Sequence, residues 1–427
     1  MPSLRAILTA GVVACAPALT AHARAEQFVV QAGREWSSLA SRLKAGDEIV
    51  LARGTHMPAS FSGLEGSPFA PIVIRSESPN ALAEIAADRE AIKLVDCRHV
   101  RIERIASRGA RRAGVLIEST KPGASLDVSI SDVLVIGARG LAEESGIVAR
   151  GVRELGIRRS RLENCVGCGI LIDDCESVSI ADVQIAARTD TAAACGIRFA
   201  GRVWSTLVER VQMAGPIATA FELGRSESTL HARAPAPPAA DAAPSAAPAP
   251  SPPKSTAPST TAPSSTPDAA RGGSTDSAPE PLVRFLVISN VRLSGVHRLL
   301  DVGSAADTAV RNVTHREAHE EVYRLSPPPA GRPAAAVRMS ECLLTWSPGA
   351  LRRFGAVEGG ADAKGFVLGP NLWWSSELPA ALPLLGPTDN PFPGTIESPQ
   401  VLDVEPKFDA RSRLINAEAA GFGAGDQ

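Results

Sequence analysis

A recurring spacing of apolar residues limits the folds that this sequence can adopt. Within the stretch GILIDDCESVSIADVQI, the residues Val178, Ile180, Val183 and Ile185 follow one another at intervals of two, three and two. An interval of two keeps side chains on one face of a strand. The interval of three marks a bend, so the pattern predicts two short strands joined by a corner, with no helix.

The same rhythm recurs along most of the chain. The copies begin at positions 49, 72, 100, 128, 155, 178, 206, 286, 308, 337 and 366. Successive copies are therefore 22 to 29 residues apart, except for one step of 80 residues that contains a low-complexity insert. A period in the twenties built from short strands is typical of a solenoid, in which each coil buries its apolar face only against its neighbours.

A second strand, which begins with glycine, precedes the rhythm in several coils. Examples are GVLIE at Gly114, GIVAR at Gly146, GILID at Gly169 and GIRFA at Gly196. Glycine at these positions indicates a turn or a close approach of neighbouring backbones. The sequence therefore predicts an all-β fold, a single-stranded parallel β-helix of about eleven coils. The handedness of parallel crossovers makes it right-handed.

The N-terminus has the features of an export signal. An apolar run follows Arg5, and the small residues of Ala23–Ala25 fit cleavage after residue 25, so residues 1–25 are predicted to be a signal peptide. The four residues that end at Cys15 also resemble a bacterial lipobox, which would instead anchor the mature chain through Cys15. We therefore expect a secreted or periplasmic protein, with a lipid anchor at Cys15 as the alternative.

Charge and hydropathy restrict the partners of the chain. A formal net charge of -2 and a pI near 6.4 lack the basic excess of nucleic-acid-binding proteins, so no nucleic-acid partner is expected. Beyond the leader, no apolar run approaches membrane-spanning length, so no transmembrane segment is predicted. We expect a monomer.

One β-helix domain is predicted over residues 26–374, interrupted by a segment of different composition. Residues 230–281 are rich in Ala, Pro, Ser and Thr. They can bury too little apolar surface to offset the entropy of ordering, so they are predicted to be a disordered insert between two coils. The period is lost after residue 374, and residues 375–427 are predicted to be irregular, either running back along the solenoid or covering its last coil.

The segment Arg34–Lys44 is predicted to cap the first coil. Its residues Trp36, Leu39, Ala40 and Leu43 are spaced as on one face of a helix. Such a helix would cover the apolar core and the unpaired strand edge that the first coil otherwise exposes.

Three stretches resemble a known superfamily. The capping segment, GDEIVLARGT from Gly46 and APIVIRSE from Ala70 resemble the beginning of right-handed parallel β-helix proteins of the pectin-lyase-like superfamily. VEPKFDARSRL from Val404 resembles the closing segment of many secreted β-helix proteins. The nearest branch is the chondroitinase B and alginate lyase type, which implies a lysine base and an arginine acid on central coils. Between residues 122 and 363 the sole lysine is Lys254, inside the insert, so that lysine has no evident counterpart.

Equivalent outward positions of successive coils predict a column of charges. If the residues after each glycine alternate inward and outward, Glu118, Arg150 and Asp173 stack in three consecutive coils, and Arg198 lies in the neighbouring column. As a catalytic set, a cation would neutralise a uronate carboxylate while a basic group takes the C5 proton. The alternative is that opposite charges on neighbouring strands simply form ion pairs.

No cofactor is predicted, and a calcium ion is the one alternative that the sequence leaves open. Asp173 and Asp174 are adjacent, but strand alternation would point them to different sides, which argues against a calcium-binding cluster. His315 and His319 are four residues apart, a spacing that chelates metal on a helix. Because they lie within a β repeat, we instead expect an exposed loop.

The positions of the cysteines favour a structural role over a metal-binding or redox role. Cys168 and Cys195 each precede the glycine that begins a strand in successive coils. Adjacent strands lie about 4.8 Å apart, so the pair is predicted to form a structural stack or a disulfide. Cys165 and Cys168 form a CxxC motif, but no second motif or nearby histidine completes a zinc set.

Two classes of function remain open. The scarcity of lysine and aromatic residues favours a noncatalytic β-helix that binds polysaccharide or serves the cell surface. The alternative is a carbohydrate-active enzyme, a lyase acting on a uronate-containing glycan. In that case Arg150 and Arg198 would be the basic groups, and Glu118 and Asp173 their partners.

Overall fold

The computed structural model describes residues 25–137, 145–190, 192–224, 280–329, 332, 336–361, 365–376, 400–401, 405–408 and 422–424. The predicted signal peptide, apart from residue 25, lies outside the described residues. So do nearly all of the predicted insert at 230–281 and most of the segment 375–427.

The described chain winds into a right-handed parallel β-helix, as predicted. Each coil contributes strands to as many as three sheets, and each strand pairs in parallel with its equivalent in the next coil.

The first sheet contains β1 (Gln27–Val30), β2 (Glu48–Leu51), β5 (Ile72–Ser76), β8 (Arg98–Glu103), β11 (Ser125–Ser131), β14 (Val152–Arg158), β17 (Glu176–Ala181), β20 (Val203–Glu209), β22 (Val283–Val302), β23 (Ala305–Ala306), β24 (Thr308–Arg316), β26 (Val337–Ser340) and β29 (Phe366–Leu368). The second contains β3 (Thr55–His56), β6 (Ala83–Ala86), β9 (Ile105–Arg108), β12 (Leu134–Ile136), β15 (Arg161–Glu163), β18 (Gln184–Ala186), β21 (Gln212–Leu223), β27 (Leu343–Thr345), β30 (Leu372–Trp374) and β31 (Gln400–Val401). The third contains β4 (Ala59–Ser62), β7 (Glu90–Val95), β10 (Ala113–Glu118), β13 (Ser145–Arg150), β16 (Cys168–Asp173), β19 (Ala193–Ala200), β25 (Glu320–Leu325) and β28 (Leu351–Val357). The long strands β21, β22 and β24 turn corners and belong to more than one sheet.

The interval of three in the apolar rhythm has a structural cause. Between Ile180 and Val183, the residue Asp182 adopts a left-handed backbone with φ of 58°. This conformation turns the chain from the first sheet to the second while both flanking aliphatic side chains stay buried. The equivalent corner residues of other coils share the positive φ: Arg104, Asp132, Arg159, Arg210, Asn290, Asn312 and Glu341.

The inward side chains form one continuous hydrophobic core that runs from Val30 to Trp373. Cys97 and Cys175 belong to it as free, buried thiols. Val203 pairs with Val283 and Leu223 with Val302, so the strands on either side of the insert stack in register. The stack is therefore continuous across the 80-residue step.

The predicted cap is shorter than the sequence suggested. Instead of an amphipathic α-helix over Arg34–Lys44, the structure has one 3₁₀ helix, Ser37–Ser41. The carboxylate of Glu35 accepts hydrogen bonds from the backbone N–H groups of Ser37 and Ser38, which starts this short turn. Trp36 is fully buried, packs edge-on against Phe61 and donates its indole N–H to a carbonyl oxygen 2.8 Å away.

Parts of the C-terminal segment contact the outside of the solenoid. Phe408 and Phe422 pack against Leu343 and Leu372. The backbone N–H of Gly423 donates to the carbonyl oxygen of Glu341 over 2.8 Å. Among the described residues, no helix has the length and apolar character needed to cross a bilayer.

Glycine is required at the second corner of the coil that contains β21. Gly215 has φ of 91°, and a side chain there would collide with the carbonyl oxygen of Ala187 in the preceding coil. We expect Gly215→Ala to lower the free energy of unfolding by about 2 kcal/mol or more, because strain and a backbone clash combine. Gly156→Ala is the matched control, since the nearest heavy atom to its added Cβ lies 3.8 Å away and its φ is ordinary. Urea unfolding of both variants tests this, and equal effects would contradict it.

The corner ion pair of Asp132 and Arg159 predicts a pH-dependent stability. A hydrogen bond from Arg159 holds the pKa of the Asp132 carboxyl below its usual value. A lowered pKa in the folded state means that the pair stabilises the fold above the ordinary carboxyl pKa and is lost as the pH falls through the folded-state value. Both side chains are more than a third exposed, so the contribution is about 0.5 kcal/mol.

We therefore expect Asp132→Asn to lower the urea midpoint at neutral pH, and the difference from the wild type to shrink as the solution is acidified. A difference that stays constant down to acidic pH would exclude the ion pair as its cause.

Candidate functional site

The outer face of the third sheet carries the predicted column of charges. Glu118 pairs with Arg150 across β10 and β13, and Arg150 pairs with Asp173 across β13 and β16. The alternation of inward and outward residues therefore places these three side chains opposite one another, as the sequence predicted.

Ion pairs connect the members of this column. A guanidinium nitrogen of Arg150 lies 3.7 Å from a carboxylate oxygen of Glu118, and another lies 3.7 Å from Asp173. Lys93 Nζ lies 2.9 Å from the other Glu118 oxygen and extends the set by one coil. We call Lys93, Glu118, Arg150 and Asp173 the charged ladder. Its side chains are between 22% and 37% exposed, so solvent and ligands can reach them.

Arg198 is not part of the charged ladder. It lies opposite Leu171 in the neighbouring column, and its Nε donates to the carboxylate of Glu222 over 2.6 Å. Both side chains are largely buried. Between Lys93 and Arg198 this column is apolar, and its residues Leu116, Val148 and Leu171 pack with Ala113 and Ala200 into a small buried cluster. The ladder and Arg198 are thus separate features.

A second set of charges, which the sequence analysis missed, lies beyond this apolar cluster. In register, Arg198 is followed by Glu222, Asp301 and Arg324 on successive coils. With two further residues these form what we call the buried ion cluster: Arg198, Glu222, Arg298, Asp301, Glu321 and Arg324. The low-complexity insert separates Glu222 from Asp301 in sequence and interrupts the coil period by which the column is recognised. Extending the column into LLDVG, which begins at Leu299, would have revealed the set.

Opposite charges compensate each other inside the buried ion cluster. The carboxylate of Glu321 accepts hydrogen bonds from the guanidinium groups of Arg298 and Arg324, each over 2.5 Å. Ser326 donates its hydroxyl to Asp301 over 2.8 Å. Burial lowers the pKa of the Arg298 guanidinium, and the nearby Glu321 carboxylate opposes this shift. Because these side chains have little exposed surface, the cluster joins coils and offers little access to a ligand.

The expectation that Asp173 and Asp174 face different sides is wrong. A Cβ built on Gly201 in the next coil would meet carboxylate oxygens of both residues, so the two carboxylates lie close together. Asp174 has φ of 50°, and this left-handed conformation breaks the alternation at the end of β16. Asp174 accepts the backbone N–H of Arg202 over 2.7 Å. Within the described part of the chain, no group of three or more His, Cys, Asp or Glu residues is arranged to hold a metal.

The two histidines that are four residues apart in sequence do not form a pair. His315 is fully buried and its Nε2 lies 2.7 Å from the carbonyl oxygen of Val296. Burial lowers the pKa of His315 to about 4. His319 is exposed and instead faces His297 of the preceding coil.

Cys168 and Cys195 are register partners on β16 and β19, as the sequence predicted. Both are buried free thiols, so of the two alternatives the structure has the stack and not the disulfide. Burial raises the pKa of the Cys195 thiol, whereas a hydrogen bond with Cys195 lowers that of Cys168.

An open pocket of about 890 Å³ lies beside the start of the charged ladder. Its lining includes Asp88, Arg89, Glu90, Lys93 and Arg108. Lys93 belongs to both the pocket and the ladder, so the two are contiguous.

Comparison with known proteins identifies the fold of this chain but no family. No protein-family model and no curated protein matches the sequence. An alginate lyase from Paenibacillus sp. str. FPU-7 is 14% identical, and the alignment covers 81% of this chain and 98% of that chain with a TM-score of 0.50. A GH136 lacto-N-biosidase from Eubacterium ramulus is 9% identical over 82% of this chain and 67% of its own, with a TM-score of 0.47. A pectate lyase is 10% identical over 82% and 76%, with a TM-score of 0.37.

At these identities, the similarity establishes the fold alone. The chain has a right-handed parallel β-helix fold, as the sequence predicted. The solved structures found in this comparison include polysaccharide lyases and glycoside hydrolases.

Removing one member of the buried ion cluster should strongly reduce the free energy of unfolding. Glu321→Ala leaves the buried Arg298 and Arg324 without their shared carboxylate, so we expect a loss of about 3–5 kcal/mol in the free energy of unfolding. Glu176→Ala serves as the control, because its pair with Arg153 is exposed and should be worth about 0.5 kcal/mol or less. Denaturant unfolding measures both. Similar small losses in the two variants would show that the cluster contributes little to stability.

Proposed function

We propose that this protein is exported and binds polysaccharide along the outer face of the third sheet. The observation that carries the proposal is the continuity of the pocket with the charged ladder through Lys93. These charged side chains are partly exposed, and neighbouring ion pairs hold them in place. They can therefore form hydrogen bonds with the hydroxyl and carboxylate groups of sugars at little cost in conformational entropy. A long row of coils suits a long, repetitive ligand because equivalent positions recur every strand spacing, about 4.8 Å.

Binding without catalysis is the favoured form of this proposal. Each ladder cation already contacts a carboxylate: Lys93 contacts Glu118, and Arg150 contacts both Glu118 and Asp173. A proton-abstracting base must be within hydrogen-bonding reach of the substrate and in its unprotonated form. An ammonium group held at 2.9 Å from a carboxylate is arranged as an ion-pair donor instead.

One observation favours the alternative, a lyase on a uronate-containing glycan. The lysine that such a mechanism requires was expected to have no counterpart, yet Lys93 lies in the same ladder as Arg150. Displacement of Glu118 by a substrate carboxylate would leave Lys93 and Arg150 beside the sugar. In this alternative Arg150 neutralises the uronate, and the burial of Arg198 against Glu222 argues against a role for Arg198 in the reaction.

Glycan retention is the direct test. Loss of one charged group that contacts a ligand costs about 1.5–3 kcal/mol, which corresponds to about tenfold or more in affinity. We therefore expect Arg150→Ala and Lys93→Ala each to weaken binding by about tenfold in affinity electrophoresis through alginate, pectate, chondroitin or dermatan. Arg153→Ala is the matched control, because Arg153 is an exposed arginine of the same coil but of the first sheet.

The same preparations distinguish the two forms of the proposal. Ultraviolet absorbance of unsaturated uronate, followed with and without calcium, reports lyase activity. Retention without new absorbance supports the binding form, and absorbance that Arg150→Ala abolishes supports the lyase. Absence of both retention and absorbance on every glycan, acidic or neutral, would overturn the proposal.

A further inference from the structure

Two exposed histidines face each other on neighbouring coils. His297 lies in β22, and His319 immediately precedes β25. The backbone N–H of His319 donates to the carbonyl oxygen of His297 over 3.1 Å, which fixes the relative position of the two residues. Their ring centroids are 5.2 Å apart and the ring planes are inclined by 38°. The sequence alone does not indicate this pair, because 21 residues separate its members.

The separation of the rings fits a shared metal ion. Two imidazole nitrogens bound to one tetrahedral metal at about 2.0–2.1 Å lie roughly 3.3 Å apart. Because the ring nitrogens lie at the ring edges, centroids at 5.2 Å allow one nitrogen from each ring to reach that separation. Both side chains are exposed, so a hydrated ion can approach and keep water on its remaining positions.

The neighbouring charges favour a cation at this pair, because the charge of Arg298 is compensated by Glu321. Neutral imidazole is the metal-binding form. Arg298 is itself held by Glu321 at 2.5 Å, and the carboxylate of Glu320 beside His319 favours a cation.

We propose that His297 and His319 form a surface site for a divalent transition metal with two protein ligands. Imidazole suits copper, nickel and zinc, whereas calcium and magnesium prefer oxygen. No third ligand completes the pair within the described residues, so water fills the other positions and the metal exchanges readily. The site is independent of the charged ladder and of glycan binding.

Calorimetric titration of the full mature chain, purified without a polyhistidine tag, tests the site. We expect one equivalent of Cu²⁺ to bind, more tightly than Ni²⁺ or Zn²⁺, and Ca²⁺ not to compete. His297→Ala and His319→Ala should each weaken Cu²⁺ binding by about tenfold or more, since a single imidazole remains. His99→Asn is the control, because His99 is paired with Asp127 on another face and Asn tolerates its positive φ of 53°.

A thermal shift induced by Cu²⁺ in the wild type and absent from both alanine variants gives an independent readout. Absence of stoichiometric binding, or binding that survives in both variants, would overturn the proposal.

Discussion

The left-handed residue at the corner between the first and second sheets is the constraint on which this structure depends. Without it, the aliphatic residues on either side of the corner would alternate out of the core. With it, Ile180 and Val183 both face inward although three positions separate them. Non-glycine residues adopt this conformation at some cost, which Asn and Asp reduce by local hydrogen bonding. Ion pairs between corners of adjacent coils offset a further part of this conformational cost: Asp132 pairs with Arg159, and Asp182 pairs with Arg210.

Because the inward residues of the repeat form the hydrophobic core, the outward residues can differ from coil to coil without disrupting the fold. On the third sheet, the partly exposed charged ladder lies beside the apolar cluster in the same coils, and the buried ion cluster follows in later coils. Opposite charges are matched in both charged sets. The ladder is therefore suited to recognition by directed hydrogen bonds, whereas a strongly cationic groove would attract any polyanion.

The sequence predicted what periodicity controls and missed what depends on local backbone geometry. The rhythm determined the fold, the register and the stacking of Glu118, Arg150 and Asp173, because a two-residue alternation propagates from coil to coil. It could not show that Asp174 leaves the alternation, since that requires knowing its φ. Nor could it pair His319 with His297, because that contact connects separate coils.

Two other outcomes have simple physical reasons. The cap forms as one short turn because the carboxylate of Glu35 accepts hydrogen bonds from the N–H groups of Ser37 and Ser38, and the buried Trp36 packs into the core beside it. The buried ion cluster was missed because the insert interrupts the column between Glu222 and Asp301, although the strands on either side of it are adjacent in space.

The measurement that tests this account most directly is the distance between nitroxide labels at Arg101→Cys and Arg338→Cys, read by pulsed electron resonance. These exposed positions lie in one column of the first sheet, connected through Ser129, Gly156, Ser179, Leu207, Val287 and Ala309. Seven strand spacings of about 4.8 Å give about 34 Å. The account predicts a narrow distribution near that value, even though the path crosses the insert. A broad distribution, or a distance far from seven spacings, would contradict a continuous stack of coils.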